Sequence, residues 1–194
     1  REVELRCAAE KLGLREVSFL DYVDGDLDQA DPAEAISRIV SQIRRIRPQV
    51  VVTFGPEGGY GHPDHIAISQ LTAASLVCAA DEDFVAAGEP HRVQKLYYMA
   101  WPPSKWQIYQ AAFRRLVSKV DGVDREASPW PEWALTTVIN TRKYVAQVWR
   151  AIQCHKTQIS IYSQLGELSE SQHEELWGSQ EFYRVFSSVN SGRR

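Results

Sequence analysis

Residues 49–65 read QVVVTFGPEGGYGHPDH. The segment QVVVTF, residues 49–54, is continuously apolar through its centre rather than alternating, which predicts a parallel strand covered on both faces and central to a sheet. Gly55 to Gly61 then supplies bend-forming residues, and Pro63 stands where a first helical turn tolerates proline. A helix is therefore predicted from His62 to Ala80. Strand, glycine-lined bend and helix N-terminus, in that order, build the crevice outside the carboxyl ends of strands where α/β proteins bind ligands.

Working outward, the same alternation recurs. Val3, Leu5, Ala8, Ala9 and Leu12 keep helical spacing up to Gly13, with no N-cap residue ahead of Arg1, so the chain reads as entered partway through a helix. VSFL, residues 17–20, predicts a short strand, and the acidic turn after it carries Asp21, Asp24, Gly25, Asp26 and Asp28. Asp31 and Pro32 form an N-cap and first-turn pair for a helix bearing Ile36, Ile39, Val40 and Ile43, ending near Pro48. Downstream, strands are predicted at LYYMA (96–100), TTVI (136–139) and EFYRVF (181–186). A helical segment with Tyr109, Phe113 and Leu116 on one side follows WPPSKW, and Val145, Val148, Trp149 and Ile152 mark one face of a later helix. Residues 101–135 otherwise read as irregular and rich in Trp and Pro. Strands alternating with amphipathic helices predict an α/β fold with a mainly parallel sheet, and 194 residues fit one domain spanning 1–194.

Composition narrows the function class. Net charge is -3 and the basic residues are dispersed, so the footprint of a nucleic-acid binder is missing and a small-molecule partner is expected. No apolar run reaches the roughly 18 residues of a membrane span, and the first residues lack a signal-peptide core, which predicts no membrane partner and a cytoplasmic location. Cys7, Cys78 and Cys154 are odd in number and widely spaced, and are read as reduced, buried thiols. A homo-oligomer is compatible with all of this.

The chemistry concentrates at His62 and His65. With His62 as N-cap and Pro63 as first helical residue, His65 falls at the third helical position, so two imidazoles face one small volume. That arrangement suits a metal or a proton transfer, and a helix N-terminus disfavours imidazolium, leaving His65 a lone pair for Zn²⁺. Asp64 is placed to orient His62. Trp101, Trp106, Trp130 and Trp133 either form an apolar rim for a sugar ring or bury area beneath loops. His155 and Gln158 read as hydrogen-bonding groups at a helix end, and His91 and His173 as exposed residues. The glycine run lacks the Gly-Lys-Ser/Thr ending of a phosphate loop.

VVTFGPEGGYGHPDHIA, residues 51–67, resembles the second signature of the PIG-L/LmbE-like deacetylases. REVEL, AAEKLGL, FLDYVDGDL, RPQVVVTF and AIQCHKTQ resemble that family's segments in the same order, while residues 101–135 match it poorly. The resemblance implies a Rossmann-like layered fold and a zinc-dependent hydrolase that removes the acetyl group of an N-acetylglucosamine-containing molecule. It implies one Zn²⁺ per chain, with His65 as a ligand, His62 as the acid or oxyanion-stabilising histidine and Asp64 as its orienting partner. Tyr60 falls at the position of a pocket tyrosine. Arg1, Asp24, Gly58 and Gly59 fall at or near substrate-binding positions. The family's other zinc ligands and its general base come from a His-Pro-Asp-Asp-Glu segment whose place is before Arg1, so a first strand and metal loop are expected to be missing and the isolated chain poorly stable. The rival expectation is a non-catalytic domain of the same fold that binds a sugar or a protein.

Overall fold

A computed structural model describes residues 1–113, 117–120, 122–126, 128–158 and 163–189. In chain order the elements are α1 (Glu2–Leu12), α2 (Pro32–Ile46), β1 (Val50–Thr53), α3 (Gly58–Gly61), α4 (Pro63–Ala80), β2 (Lys95–Met99), α5 (Pro103–Phe113), β3 (Val117–Val120), β4 (Val123–Glu126), β5 (Thr137–Asn140), α6 (Val145–Ile152), α7 (Glu170–Trp177) and β6 (Ser179–Ser187). They group into two compact units, one of residues 1–19, 102–116 and 138–181, the other of residues 20–101, 117–137 and 182–194.

The second unit carries the quoted stretch. Asp31 caps α2 by accepting from the Glu34 N–H at 2.8 Å, and Pro32 opens the helix, as the sequence predicts. The apolar stripe of α2 meets α4 over β1 and β2, burying Val40, Ile43, Leu76, Ala79, Val93 and Leu96. Each large side chain fully buried in this way contributes roughly 1.5–3 kcal/mol. Arg44 is also buried, and its guanidinium donates to the carbonyls of Cys78, Ala79 and Asp81 at the end of α4 and of Phe84, Ala86 and Gly88 beyond it. One side chain thus satisfies helix-end acceptors that would otherwise need water.

Strand order is β1-β2-β6-β5. β1 and β2 are parallel, with Val50 opposite Lys95 and Thr53 opposite Tyr98, whereas β2 and β6 are antiparallel. The α/β class is as expected, and the sheet is mixed rather than mainly parallel. β1 lies at the edge of this sheet, not at its centre, and Val50 and Val52 are each 48% exposed. Val51 packs onto the helices while Val50 and Val52 point to the other side of the pleat, so only one face is covered. VSFL does not form a strand: residues 17–20 are irregular, and the Leu20 carbonyl accepts from the Arg38 guanidinium instead of from a ladder partner. A hairpin of β3 and β4, which sequence reading left as irregular, pairs Val117 with Glu126.

In the first unit, α1 ends at Gly13 in the left-handed conformation, as predicted. Cys7 and Cys154 form a disulfide that ties α1 to the end of α6, their Cα atoms 5.8 Å apart. The expectation of three reduced thiols fails here, because the fold brings together two residues 147 positions apart; Cys78 remains free. Ile108, Ala112, Leu165, Leu176 and Trp177 form a second core, with Tyr109, Val145, Val148, Trp149 and Ile152 against it. Leu116 lies outside the described residues, as does the side chain of Phe113. His173 is not exposed: its ring lies 5.1 Å from Trp149 and 4.8 Å from Trp177, and Nε2 donates to the Leu165 carbonyl. His91, in the other unit, is likewise partly buried and donates from Nε2 to the Pro48 carbonyl at 2.8 Å. Both polar rings are satisfied by backbone carbonyls that a local reading cannot see. His155 and Gln158 take part in backbone bonds that finish the turn after α6. Lys105 and Glu181 are a buried ion pair at 2.5 Å, with Ser179 donating to the same carboxylate. Among the described residues no helix is long and apolar enough to cross a membrane.

Candidate active site

β1 delivers the chain into the bend, and α4 receives it. His62 has an extended backbone, φ −70 and ψ 129, and acts as the N-cap of α4. Its Nδ1 accepts from the Asp64 N–H at 3.2 Å. An acceptor at Nδ1 places the proton of the neutral ring on Nε2, so His62 presents a donor. His65 is set the other way. Its Nδ1 lies 3.1 Å from the Gly58 carbonyl oxygen. A carbonyl can only accept, so Nδ1 carries the proton and Nε2 keeps its lone pair. One helical turn therefore holds two imidazoles in opposite tautomers, their centroids 4.8 Å apart.

Two aromatic neighbours, Phe54 and Tyr60, flank these rings. Phe54, directly after β1, stacks on His65 at 3.9 Å with an interplanar angle of 10°. Tyr60 meets His65 edge-on at 5.4 Å and His62 at 5.9 Å. His65 is half-buried, and burial pushes its pKa below the ordinary imidazole value. The Gly58 carbonyl opposes this, His62 adds to it, and the charges of Asp64 and Asp24 oppose it. Desolvation is the largest of the influences that lower the His65 pKa.

Gly58 makes the carbonyl contact possible. Its φ is +66°, and a Cβ there would sit 2.7 Å from Ile66 Cγ1 and 3.1 Å from the Ile66 nitrogen. Gly59 and Tyr60 have non-helical backbone and break the short helix α3 before α4 begins. Asp64 does not hold His62 through its carboxylate. Oδ2 accepts from the Gly25 N–H at 2.7 Å and Oδ1 from the Leu27 N–H at 3.1 Å, so the part of Asp64 that holds His62 is its backbone N–H. Asp24 is exposed and immediately precedes Gly25. Arg1 lies in the other unit, at the N-cap of α1.

Of the tryptophans, Trp106 is buried and Trp133 is exposed. Trp130 does reach the bend: its Nε1 donates to Glu57 Oε1 at 2.9 Å, and its ring stacks on Tyr183 at 5.1 Å. Sequence reading missed Glu57, whose only signal is its place inside the motif. Among the described residues no group of three or more His, Cys, Asp or Glu is placed to hold a metal. His65 Nε2 is the donor that fits one, its other nitrogen being fixed by a backbone carbonyl as ligating imidazoles require.

Residues 1–76 match the family described as PIG-L: GlcNAc-PI de-N-acetylase. The protein named 1D-myo-inositol 2-acetamido-2-deoxy-alpha-D-glucopyranoside deacetylase from Geodermatophilus obscurus is 30% identical over 204 residues, covering 94% of this chain and 69% of the relative. The chain belongs to the PIG-L family. Its PIG-L relative of the same name from Kineococcus radiotolerans is 31% identical over 229 residues, covering 99% of this chain and 62% of that protein. The chain spans about half to two thirds of the length of such relatives. Among solved structures, the conserved protein TT1542 from Thermus thermophilus superposes with a TM-score of 0.65 at 20% identity, covering 100% of this chain and 77% of that one. At that identity the likeness speaks for the fold, and it agrees with the layered α/β arrangement of the PIG-L chain described above.

Proposed function

We propose that the protein is a zinc-dependent N-deacetylase acting on the acetamide of an N-acetylglucosamine-containing small molecule. The observation that carries this reading is the opposed tautomers of His62 and His65 on one helical turn. The relatives, named as deacetylases of an inositol-linked 2-acetamido sugar, supply the substrate class. His65 Nε2 would hold the metal. Bound zinc supplies a Lewis acid that polarises the amide carbonyl and lowers the pKa of water.

The chain's own residues then do the following work. Phe54 and the Gly58 carbonyl keep the His65 ring from turning, so its lone pair is aimed before substrate arrives. His62 Nε2–H, on a ring whose centroid is 4.8 Å from that of His65, would donate to the oxyanion or pass a proton to the departing amine. Tyr60, edge-on to both rings, would offer its hydroxyl to the same oxyanion. Asp24 faces the sugar.

The test uses the protein expressed from its native gene, supplied with zinc and an N-acetylglucosaminyl-inositol, with release of free amine as readout. His65→Ala brings activity to background, and His62→Ala lowers kcat by roughly 10²–10⁴-fold. Full activity in His65→Ala, or no hydrolysis of any N-acetylated sugar by the unmodified protein, refutes the reading; in the second case the domain is a binding module.

A further inference from the structure

We propose that Asp64 is a positioning residue that docks the acidic turn at Asp24 onto the first turn of α4, so that Asp24 and the two histidines are held as one set. Its effect on substrate rests on the deacetylase reading above; the docking itself does not.

Both Asp64 oxygens are taken by backbone N–H groups of one turn, Gly25 at 2.7 Å and Leu27 at 3.1 Å, from residues 39 and 37 positions upstream. Two charge-assisted bonds to adjacent backbone donors fix orientation as well as distance. The Asp64 N–H is committed to His62, so the same residue sets the His62 tautomer and the seat of the turn.

The far end of the turn is held independently. Arg38 donates to the Leu20 carbonyl at 2.5 Å and lies over the Tyr22 ring at 5.0 Å from its centroid. Between the two anchors, Asp21 has a φ of +59°, a conformation that costs a non-glycine residue about 1 kcal/mol. The turn also gathers Asp21, Asp24, Asp26 and Asp28, whose charges repel one another and repel Asp64. A strained, anionic turn has no reason to settle on a carboxylate unless its N–H groups are aimed at that carboxylate. Asp64 therefore seats the stretch of turn that immediately follows Asp24. A glutamate would overreach the two donors by one methylene, and an asparagine would turn an NH₂ against one of them.

Two measurements test this on the zinc-supplied protein. The first is amide hydrogen exchange at Gly25 and Leu27, expected to be slow in the unmodified protein and at least about tenfold faster at both in Asp64→Asn. Exchange at free-amide rates in the unmodified protein, or no change in Asp64→Asn, overturns the proposal. The second is a double-mutant cycle on an N-acetylglucosaminyl substrate. Asp24→Asn and Asp64→Asn each raise KM by about tenfold with a much smaller effect on kcat, and the double variant is no worse than either alone. Multiplying effects, or a loss confined to kcat, overturn it. Slow exchange in a protein that hydrolyses nothing would sink the deacetylase reading while leaving the docking intact, so the two failures are distinguishable.

Discussion

Gly58→Ala should cost far more than an ordinary glycine replacement, and the structure says by how much. An alanine at φ +66° pays the left-handed backbone penalty of roughly 1–2 kcal/mol. Its Cβ would also lie 2.7 Å from Ile66 Cγ1 and 3.1 Å from the Ile66 nitrogen. The first contact can be relieved by a rotamer change, but the second is backbone in the first turn of α4, and forcing it apart adds about 1–3 kcal/mol. The sum is about 2–5 kcal/mol, or roughly 4–20 °C in Tm for a chain of this size. Gly13→Ala is the internal reference, because Gly13 has φ +73° with nothing within 4 Å of an added methyl and so carries the backbone penalty alone. Urea unfolding of both variants beside the unmodified chain measures the difference. In Gly58→Ala the displaced carbonyl also releases His65 Nδ1, seen as a change in the ¹⁵N chemical shifts of that ring; Gly13→Ala leaves them untouched. Equal losses of stability in the two variants would refute the argument that close approach of α4, rather than φ alone, demands glycine at 58.

Lys105→Met leaves the Glu181 carboxylate buried without its cation and is expected to cost about 3–5 kcal/mol, with Lys105→Met/Glu181→Gln recovering part of it in the same unfolding assay. Arg44→Met strands carbonyls at the end of α4 and in the loop after it; thermal melts should show a loss of about 3 kcal/mol, since the exposed carbonyls regain water. Glu4 accepts from both the N–H and the hydroxyl of Thr157, and these bonds hold its pKa below the usual carboxylate value. A carboxylate lowered on folding contributes stability that is present above its unfolded pKa and lost as pH falls through the folded one, so Thr157→Ala, which removes the hydroxyl donor, should lower stability at neutral pH, flatten that acid limb and leave stability below the folded pKa unchanged. Alkylation under denaturing, non-reducing conditions should label Cys78 alone by mass spectrometry, and Cys7→Ser should lower stability by about 2–4 kcal/mol.

Features written in neighbouring residues were legible from sequence. Asp31–Pro32, the Gly13 stop and the His62 cap each depend on a few adjacent positions, and each stands where the pattern put it. The apolar run of β1 was legible as a strand but not as an edge, because hydropathy records how greasy a strand is and not which neighbours reach it. The hairpin of β3 and β4 was overlooked although Asp121-Gly122 reads as a turn dipeptide in the sequence between its strands. Within the site, the histidine pair followed from spacing. The partners of the Asp64 carboxylate lie in a separate turn, the Glu57 bond comes from Trp130, and Cys7 meets Cys154 across most of the chain; no local pattern encodes such meetings.

The stacking of Phe54 on His65 makes the pairing of β1 with β2 a determinant of chemistry. Side chains alternate across the pleat, so a slip of one residue in that ladder would carry Phe54 to the opposite side and leave the imidazole without its flat wall. Mutations far from the bend that loosen how Val50 to Thr53 sit against Lys95 to Tyr98 should therefore surface first as a wandering ring at position 65, well before the domain unfolds.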